Sequence, residues 1–359
     1  MRVAILKLSS LGDVVHALPV AHALRRHFPD SSLTWVVEAR EAALLNGQPD
    51  LDAVLPVDTR RWRRLILTLA GAREVGRELV QLGRRLRAGD FDVALDLQGL
   101  IKSGLLTACT GAALRIGFAV GHLREPLNAL FTNCRVTPPP EARHVVEQYL
   151  ALLGPLGVGD RRPVFNIPVS RVAEQQIDAF LKAQGVKPGE PVVALNPGAG
   201  RPEKRWPVEH WRRLAERLAL EGGVRVLLLW GPGEEALAGA VSRGLCPAPA
   251  LSPPTTVQEL AALLCRVALV VAGDTGPLHL AAALGTPCLG LYGPTSGQRN
   301  GPYGPRSMGL ESPDGTMASL EPDTVLSAAV ELVDGSSAVA ARGSRGSWAS
   351  AGAAGDPKS

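Results

Sequence analysis

Residues 269–295, LVVAGDTGPLHLAAALGTPCLGLYGPT, leave the chain little freedom of fold. An apolar run, Leu269 to Ala272, meets the tight turn Gly273-Asp274-Thr275-Gly276. A helical run then leads from Pro277 through LAAALG, and a second apolar run ends at Tyr292-Gly293-Pro294. The order is strand, turn, helix, strand. The turn sets backbone N–H groups and two small polar side chains at a helix start, where the helix dipole favours an anion. The segment is either a phosphate grip or an ordinary turn in which Asp274 or Thr275 caps the helix.

The same alternation runs through the whole chain. Val3 to Leu8 is an apolar strand that passes through Ser9-Ser10-Leu11-Gly12-Asp13 into a helix over 14–27, and further strands are expected at 33–38, 53–57, 91–99 and 115–118. In the second half, strands at 192–196 and 224–230 precede the 269–295 unit, with helices at 172–184, 211–220, 260–265 and 321–333. Alternating strands and helices imply parallel sheets covered on both faces, so the fold class is α/β, with two doubly wound Rossmann-like halves facing a central cleft. With 359 residues the chain exceeds what one core usually serves, and two domains of roughly 150 residues are expected. The glycine- and proline-bearing connection over 154–170 divides it into 1–160 and 161–333, and the Gly/Ser/Ala-rich 334–359 is expected to be a disordered tail. Asp13 then falls at the carboxyl end of the first strand, where open α/β sheets build their sites, although an Asp there also serves as a helix N-cap.

After RRWRR a long amphipathic helix is expected, with Leu65, Leu69, Ala72, Leu79, Leu82 and Leu86 as the stripe that packs on the sheet. The net charge of +4 conceals an asymmetry: 59–89 holds nine arginines against Glu74 and Glu78, which makes this segment +7 and the remainder −3. Such a segment is either a solvated helix face or a surface for an anionic partner, nucleic acid or an anionic membrane. No apolar stretch approaches the roughly 20 residues of a membrane span, and MRVAILKLSS enters a strand, so a cytoplasmic protein is expected. Cys109, Cys134, Cys246, Cys265 and Cys288 lack C-x-x-C spacing and read as reduced core thiols. The chain has neither G-x-G-x-x-G after the first strand nor a P-loop, and no D-x-D triplet or histidine cluster for a divalent metal. If phosphates bind, Lys204 and the helix start at 274–276 must neutralise them. His16, His22 and His27 read as surface or packing residues, and Trp206 and Trp211 as packing for the helix that follows them.

Taken in order, MRVAILKLSSLGDVVHALP, TRRWRR, FDVALDLQGLIKSG, REPLNALF, EKRWPVEHWRRL, WGPGEE, GDTGPLHLAAALGTP and YGPT resemble the ADP-heptose:lipopolysaccharide heptosyltransferase family. The N-terminal half is most similar to its heptosyltransferase I branch. The resemblance implies the glycosyltransferase B architecture, inversion at the donor's anomeric carbon, and neither metal nor cofactor. The implied reaction moves heptose from ADP-heptose to the Kdo region of lipid A. It implies an enzyme held peripherally on the anionic inner face of the inner membrane, with no nucleic-acid partner. By motif, Asp13 stands at the catalytic base and Lys204 at the lysine that meets the donor diphosphate. Ser9, Gly12, Lys204, Glu234, Asp274, Thr275, Gly276 and His279 fall at donor-binding positions, with Glu235 able to replace Glu234. Arg60, Arg61, Arg63, Arg64, Lys102 and Arg124 match acceptor-binding positions, with Trp62 at the headgroup interface. The chain departs from heptosyltransferase I at Ala199-Gly200, where that branch has a threonine pair. NPGAGRPEKRWP is more similar to heptosyltransferase II, which leaves open which heptose is added. The alternatives are a family member with another acceptor, a nucleotide-sugar epimerase or hydrolase on the same fold, and a non-enzymatic nucleotide-binding module.

Overall fold

The structure, a computed structural model, describes residues 1–343. The first half runs β1 (Arg2–Leu6), α1 (Leu11–His27), β2 (Ser32–Glu38), β3 (Ala53–Val57), α2 (Thr59–Leu65), α3 (Leu69–Ala88), β4 (Val93–Asp96), α4 (Ile101–Cys109), β5 (Leu114–Phe118), β6 (Cys134–Val136) and α5 (Val145–Ala151). The second runs α6 (Arg171–Ala183), β7 (Val192–Asn196), α7 (Val208–Leu220), β8 (Arg225–Leu228), α8 (Glu235–Ser242), β9 (Ala250–Leu251), α9 (Val257–Leu264), β10 (Leu269–Gly273), α10 (Gly276–Ala283), β11 (Cys288–Tyr292), α11 (Gly297–Asn300), β12 (Ser307–Glu311) and α12 (Pro322–Gly343).

The strands form two parallel sheets, ordered β3-β2-β1-β4-β5-β6 and β12-β11-β10-β7-β8-β9. Counted from its own first strand, the second sheet repeats the order of the first, so the chain builds one topology twice. In each sheet the order reverses between two central strands, β1 and β4 or β7 and β10. Loops leave those strands in opposite directions and open a crevice at their carboxyl ends.

Side chains alternate across each strand, so each sheet has two faces to bury. Val3 and Ile5 face a core that continues through α1 and α5 to α9, α10 and the near face of the second sheet. Ala4 and Leu6 face the other way, under α3 and α4. Val193 and Leu195 bury the far face of the second sheet against α7, α8 and α12. The two halves therefore meet along shared apolar packing.

Four sequence expectations are corrected here. Strands β6, β9 and β12 were not expected; all are sheet edges, and their mixed exposure leaves no apolar run to read, whereas β4, β7, β10 and β11 are buried throughout. The helix expected after Arg64 breaks at 66–68 into α2 and α3, and Leu69 and Leu79 are exposed rather than packed on the sheet. The last helix runs on to Gly343, because the alanine-rich residues at 338–342 favour helix; the rest of the expected tail lies outside the described residues. All five cysteines are free, but only Cys288 is a core thiol, while Cys109, Cys246 and Cys265 are exposed. Among the described residues no helix is long and apolar enough to cross a membrane.

Candidate active site

The loop after β1 is held from the neighbouring strand. Asp96, at the end of β4, accepts the N–H groups of Gln98 and Gly99 at 2.9 and 3.1 Å and turns the chain there. Gln98 Oε1 in turn accepts the N–H groups of Leu8 and Ser9 at 3.0 and 3.2 Å. Ser10 is the N-cap residue of α1, and Asp13 lies in the helix's first turn. Asp13 Oδ2 accepts from Ser10 N and Oγ at 3.0 and 2.9 Å. Oδ1 faces Lys7 Nζ at 3.6 Å, and the side chain keeps 42% of its exposure. One oxygen thus anchors the loop and the other is held only by charge.

Lys7 was not singled out from the sequence. Its side chain is 3% exposed and donates to Tyr149 Oη at 2.6 Å and to the Leu97 carbonyl at 3.2 Å. Burial works against its charge, and Tyr149, Asp13 and Asp96 outweigh that, so its pKa is raised. Burial likewise works against the Asp13 carboxylate, but Lys7, the Ser10 bonds and His279 hold its pKa below the ordinary value. A charged residue that closes an otherwise apolar strand was the available signal.

On the opposite side, β10 delivers Asp274 with both oxygens engaged: Oδ2 accepts from Lys204 Nζ at 2.5 Å and Oδ1 meets His279 Nε2 at 3.0 Å. The Thr275 hydroxyl donates to the Gly273 carbonyl at 3.1 Å and accepts from Asn196 Nδ2 at 3.2 Å. No side chain caps α10, so the turn is not the ordinary capped one. The first N–H groups of α10 remain directed out of its N-terminus. Burial opposes the charge of Asp274, but His279 and Lys204 hold its pKa well below the carboxylate range.

Lys204 ends a short turn after β7. Arg205 pins that loop by donating to the Ala199 carbonyl at 3.2 and 3.1 Å, and the buried Trp206 indole donates to the Leu320 carbonyl at 2.9 Å. Trp206 and Trp211 meet edge-on and pack in the core under α7. Glu234, after β8, accepts the Gly231 N–H at 3.1 Å and lies over Gly198, where a Cβ would come within 2.1 Å of its carboxylate. Glu235 instead begins α8 and is exposed.

The two halves touch through a pair of glycines. A Cβ on Gly12 would lie 2.4 Å from His279 Cδ2, and one on Gly276 would lie 2.8 Å from Leu11 Cδ2, so α1 and α10 approach as only glycine allows. Asp13 is thereby next in sequence to the residue that touches His279, which is itself bonded to Asp274. His16 follows one turn along α1, its ring 4.3 Å from that of His279 and 5.2 Å from that of His144, whose Nε2 lies 2.9 Å from the Gly301 carbonyl. His16 is thus a packing residue between the halves; His22 pairs with Asp50 at 3.2 Å, and His27 meets Phe28 edge-on.

The expected basic positions divide. Arg60, Arg63, Arg64 and Arg124 are exposed and form no ion pair among the described residues. Arg61 is bound by Glu74 and Glu78, and Trp62 Nε1 donates to Glu78 at 2.7 Å. Lys102 Nζ lies 3.3 Å from the buried Glu38 carboxylate and 3.2 Å from Thr59 Oγ1, which ties α4 to the start of α2. Glu125, beside Arg124, accepts the Ile101 N–H at 2.6 Å and brings that arginine to the same helix end. Among the described residues no three His, Cys, Asp or Glu side chains are grouped to hold a metal.

Residues 79–329 match the sequence profile of glycosyltransferase family 9 (heptosyltransferase). The chain is 36% identical over 321 residues to lipopolysaccharide heptosyltransferase 1 of Pseudomonas aeruginosa, covering 87% of this chain and 84% of that protein. It is 33% identical over 330 residues to lipopolysaccharide heptosyltransferase 1 of Escherichia coli, covering 91% and 98%. The solved structure of E. coli heptosyltransferase WaaC with ADP superposes with a TM-score of 0.77 at 30% identity, covering 92% of this chain and all of that one.

Proposed function

The chain belongs to glycosyltransferase family 9, the heptosyltransferases, and from that premise we propose that it adds the first heptose, from ADP-heptose, to the Kdo region of lipid A. Its two Rossmann-like halves are the glycosyltransferase B architecture, and its activity is heptose transfer in the lipopolysaccharide inner core. The observation that carries the assignment of roles is the contact at Gly12 and His279, which sets Asp13 against the Asp274, Lys204 and His279 cluster.

In the proposed mechanism the second half holds the donor. The N-terminus of α10 and Lys204 meet the diphosphate, and Glu234 meets the adenosine ribose. Asp13 Oδ1 takes the proton of the acceptor hydroxyl as its oxygen attacks the anomeric carbon from the face opposite ADP. The bond from that carbon to the phosphate oxygen breaks, its electron pair leaves with ADP, and Lys204 and the helix N-terminus stabilise the growing negative charge. Inversion follows in this reading from the use of Asp13 Oδ1 as a base in a single displacement, while both oxygens of Asp274 are engaged by Lys204 and His279. Exposed Arg60, Arg63, Arg64 and Arg124 meet the acceptor's carboxylates and phosphates as bidentate donors. The same arginines hold the enzyme peripherally at an anionic membrane face.

The test is an assay of ADP release and product with ADP-heptose against Kdo-lipid A and against its monoheptosylated product, in buffer containing EDTA. Turnover on Kdo-lipid A alone, undiminished by the chelator and with the anomeric configuration inverted, is the expected result. Preference for the heptosylated acceptor would move the assignment to the second heptose, and loss of turnover in EDTA would overturn the metal-free mechanism.

A further inference from the structure

The segment that broke the expected long helix is built and does not pack. Ile66, Leu67 and Leu69 are 59%, 82% and 88% exposed, and Thr68 between them turns the chain by accepting the Gly71 N–H at 3.1 Å. A Cβ on Gly71 would fall 2.0 Å from the Leu65 carbonyl oxygen, so the turn closes tightly and holds its aliphatic side chains outward. Three large aliphatic residues side by side in water are not what a folded surface tolerates without a partner.

The surroundings say what that partner is. The segment's two acidic residues, Glu74 and Glu78, are both consumed by Arg61 and Trp62. What remains outward is cationic: Arg63 and Arg64 on α2, then Arg73 and Arg77 on α3, all exposed and none in an ion pair among the described residues. Arg73, Arg77 and Arg84 also line a shallow trough along the outer face of α3 with the exposed Val80. An aliphatic tip ringed by unpaired guanidinium groups complements the chemistry of an anionic bilayer, acyl chains beneath a layer of phosphates. A protein partner would have to bring a dense acidic rim around an apolar socket.

We propose that the turn at 66–69 is a membrane wedge: Ile66, Leu67 and Leu69 enter the acyl boundary of an anionic phospholipid bilayer while the flanking arginines engage headgroup phosphates. This rests on the peripheral-membrane reading above and adds insertion to charge attraction. It also orients the molecule, because the wedge emerges from the helix that carries Arg60, Arg63 and Arg64 and so brings the acceptor side to the lipid.

The test uses the full chain with vesicles of phosphatidylethanolamine and phosphatidylglycerol, and with pure phosphatidylcholine vesicles as the neutral control. Leu67→Ser/Leu69→Ser, which leaves the charge unchanged, is expected to lower the partition coefficient on anionic vesicles by ~10-fold, with turnover on a de-acylated, water-soluble acceptor unchanged. Leu67→Trp is expected to hold or raise partitioning, since Trp favours the interface. A damaged fold would weaken both variants, so the opposite directions read insertion itself. Unchanged partitioning of the double Ser variant would overturn the wedge while leaving charge-driven attachment intact, and weakening by both the double Ser and the Trp substitutions would overturn it too. A wild-type mass that falls on dilution without lipid, and a double Ser variant that is monomeric yet binds vesicles normally, would assign the tip to contact between copies. Failure of heptosyl transfer would show in the soluble-acceptor arm and leave the vesicle arm readable.

Discussion

The two halves share one topology, and each puts a carboxylate just beyond a central strand, where a helix begins, yet the two carboxylates are held in opposite ways. Asp13 gives one oxygen to its own loop and leaves the other facing Lys7 across 3.6 Å. Asp274 has Lys204 on one oxygen and His279 on the other. Asp13 follows the first strand of its half and Asp274 the fourth of its own, so the shared topology does not give the two carboxylates the same chemistry. An oxygen without a hydrogen bond is available to accept a proton, whereas a carboxylate saturated by two partners is suited to fixing those partners in place.

The largest effect that this contrast predicts is on Asp13. Asp13→Asn removes the proposed proton acceptor but keeps the shape and much of the Ser10 bonding, so kcat should fall by ~10³-fold while the donor Kd stays within about threefold of wild type. Calorimetry with ADP beside a turnover assay measures both. Asp274→Asn should be smaller and of a different kind. It loosens Lys204 and His279 together, so kcat/KM for the donor should fall by ~10²-fold, mainly through KM. A loss confined to kcat would erase the distinction between the two carboxylates.

Next in size is the contact that joins them. Gly12→Ala places a methyl group 2.4 Å from His279 Cδ2, and His279 is buried and bonded to Asp274, so the ring cannot turn aside without giving up that bond. We expect about a tenfold loss of kcat and a destabilisation of ~1–3 kcal/mol, read by turnover and by denaturant melts. The double variant Gly12→Ala/His279→Ala should be no worse than His279→Ala alone, because the clash then has no second party. Additive losses would place the effect of Gly12 elsewhere than in the contact between the halves.

How much of this was legible in the sequence follows the same physics. Central strands announce themselves as unbroken apolar runs because both faces are buried, and the candidate site is built on the segments that follow them; hence Asp13, Lys204, Glu234 and Asp274 could be singled out from position and motif. Edge strands β6 and β9 are only three and two residues long and β12, SMGLE, is half-solvated, so they leave no pattern, whereas the edge strand β3, AVLPV, is apolar throughout and could be read. The apolar spacing from Leu65 to Leu86 read as one stripe because periodicity reports which residues are apolar and not whether anything covers them. Gly12 and Gly276 read as ligand contacts, and their closeness to His279 and Leu11 is a property of two domains meeting, which no single segment encodes. Lys7 was hidden by its strand: one lysine in an apolar run is easily taken as a terminus, and only the fold shows Tyr149, Leu97 and Asp13 converging on it.

Lys7 supplies the finest test of the comparison, because it acts on Asp13 across 3.6 Å without a hydrogen bond, whereas Lys204 bonds Asp274 directly. Asp274 is held ionised by direct bonds, whereas Asp13 owes its lowered pKa first to the Lys7 charge and then to Ser10. Lys7→Met keeps the length of the side chain and removes the charge, so the Asp13 pKa must rise. Above that pKa the carboxylate is still ionised, and the variant should keep its rate at pH 8 within a few-fold; as pH falls, Asp13 is protonated sooner. The acid limb of kcat/KM should therefore move to higher pH. Stability follows the same sign: a carboxyl depressed in the folded state stabilises above its unfolded value of 3.8 and loses that contribution as pH falls through the folded pKa, so the variant should gain less stability from ionised Asp13. A loss of rate equal at every pH would make Lys7 a packing residue. A displaced acid limb, with the donor KM unchanged, would make it the group that keeps one carboxylate of the pair ionised without occupying the oxygen that takes the proton.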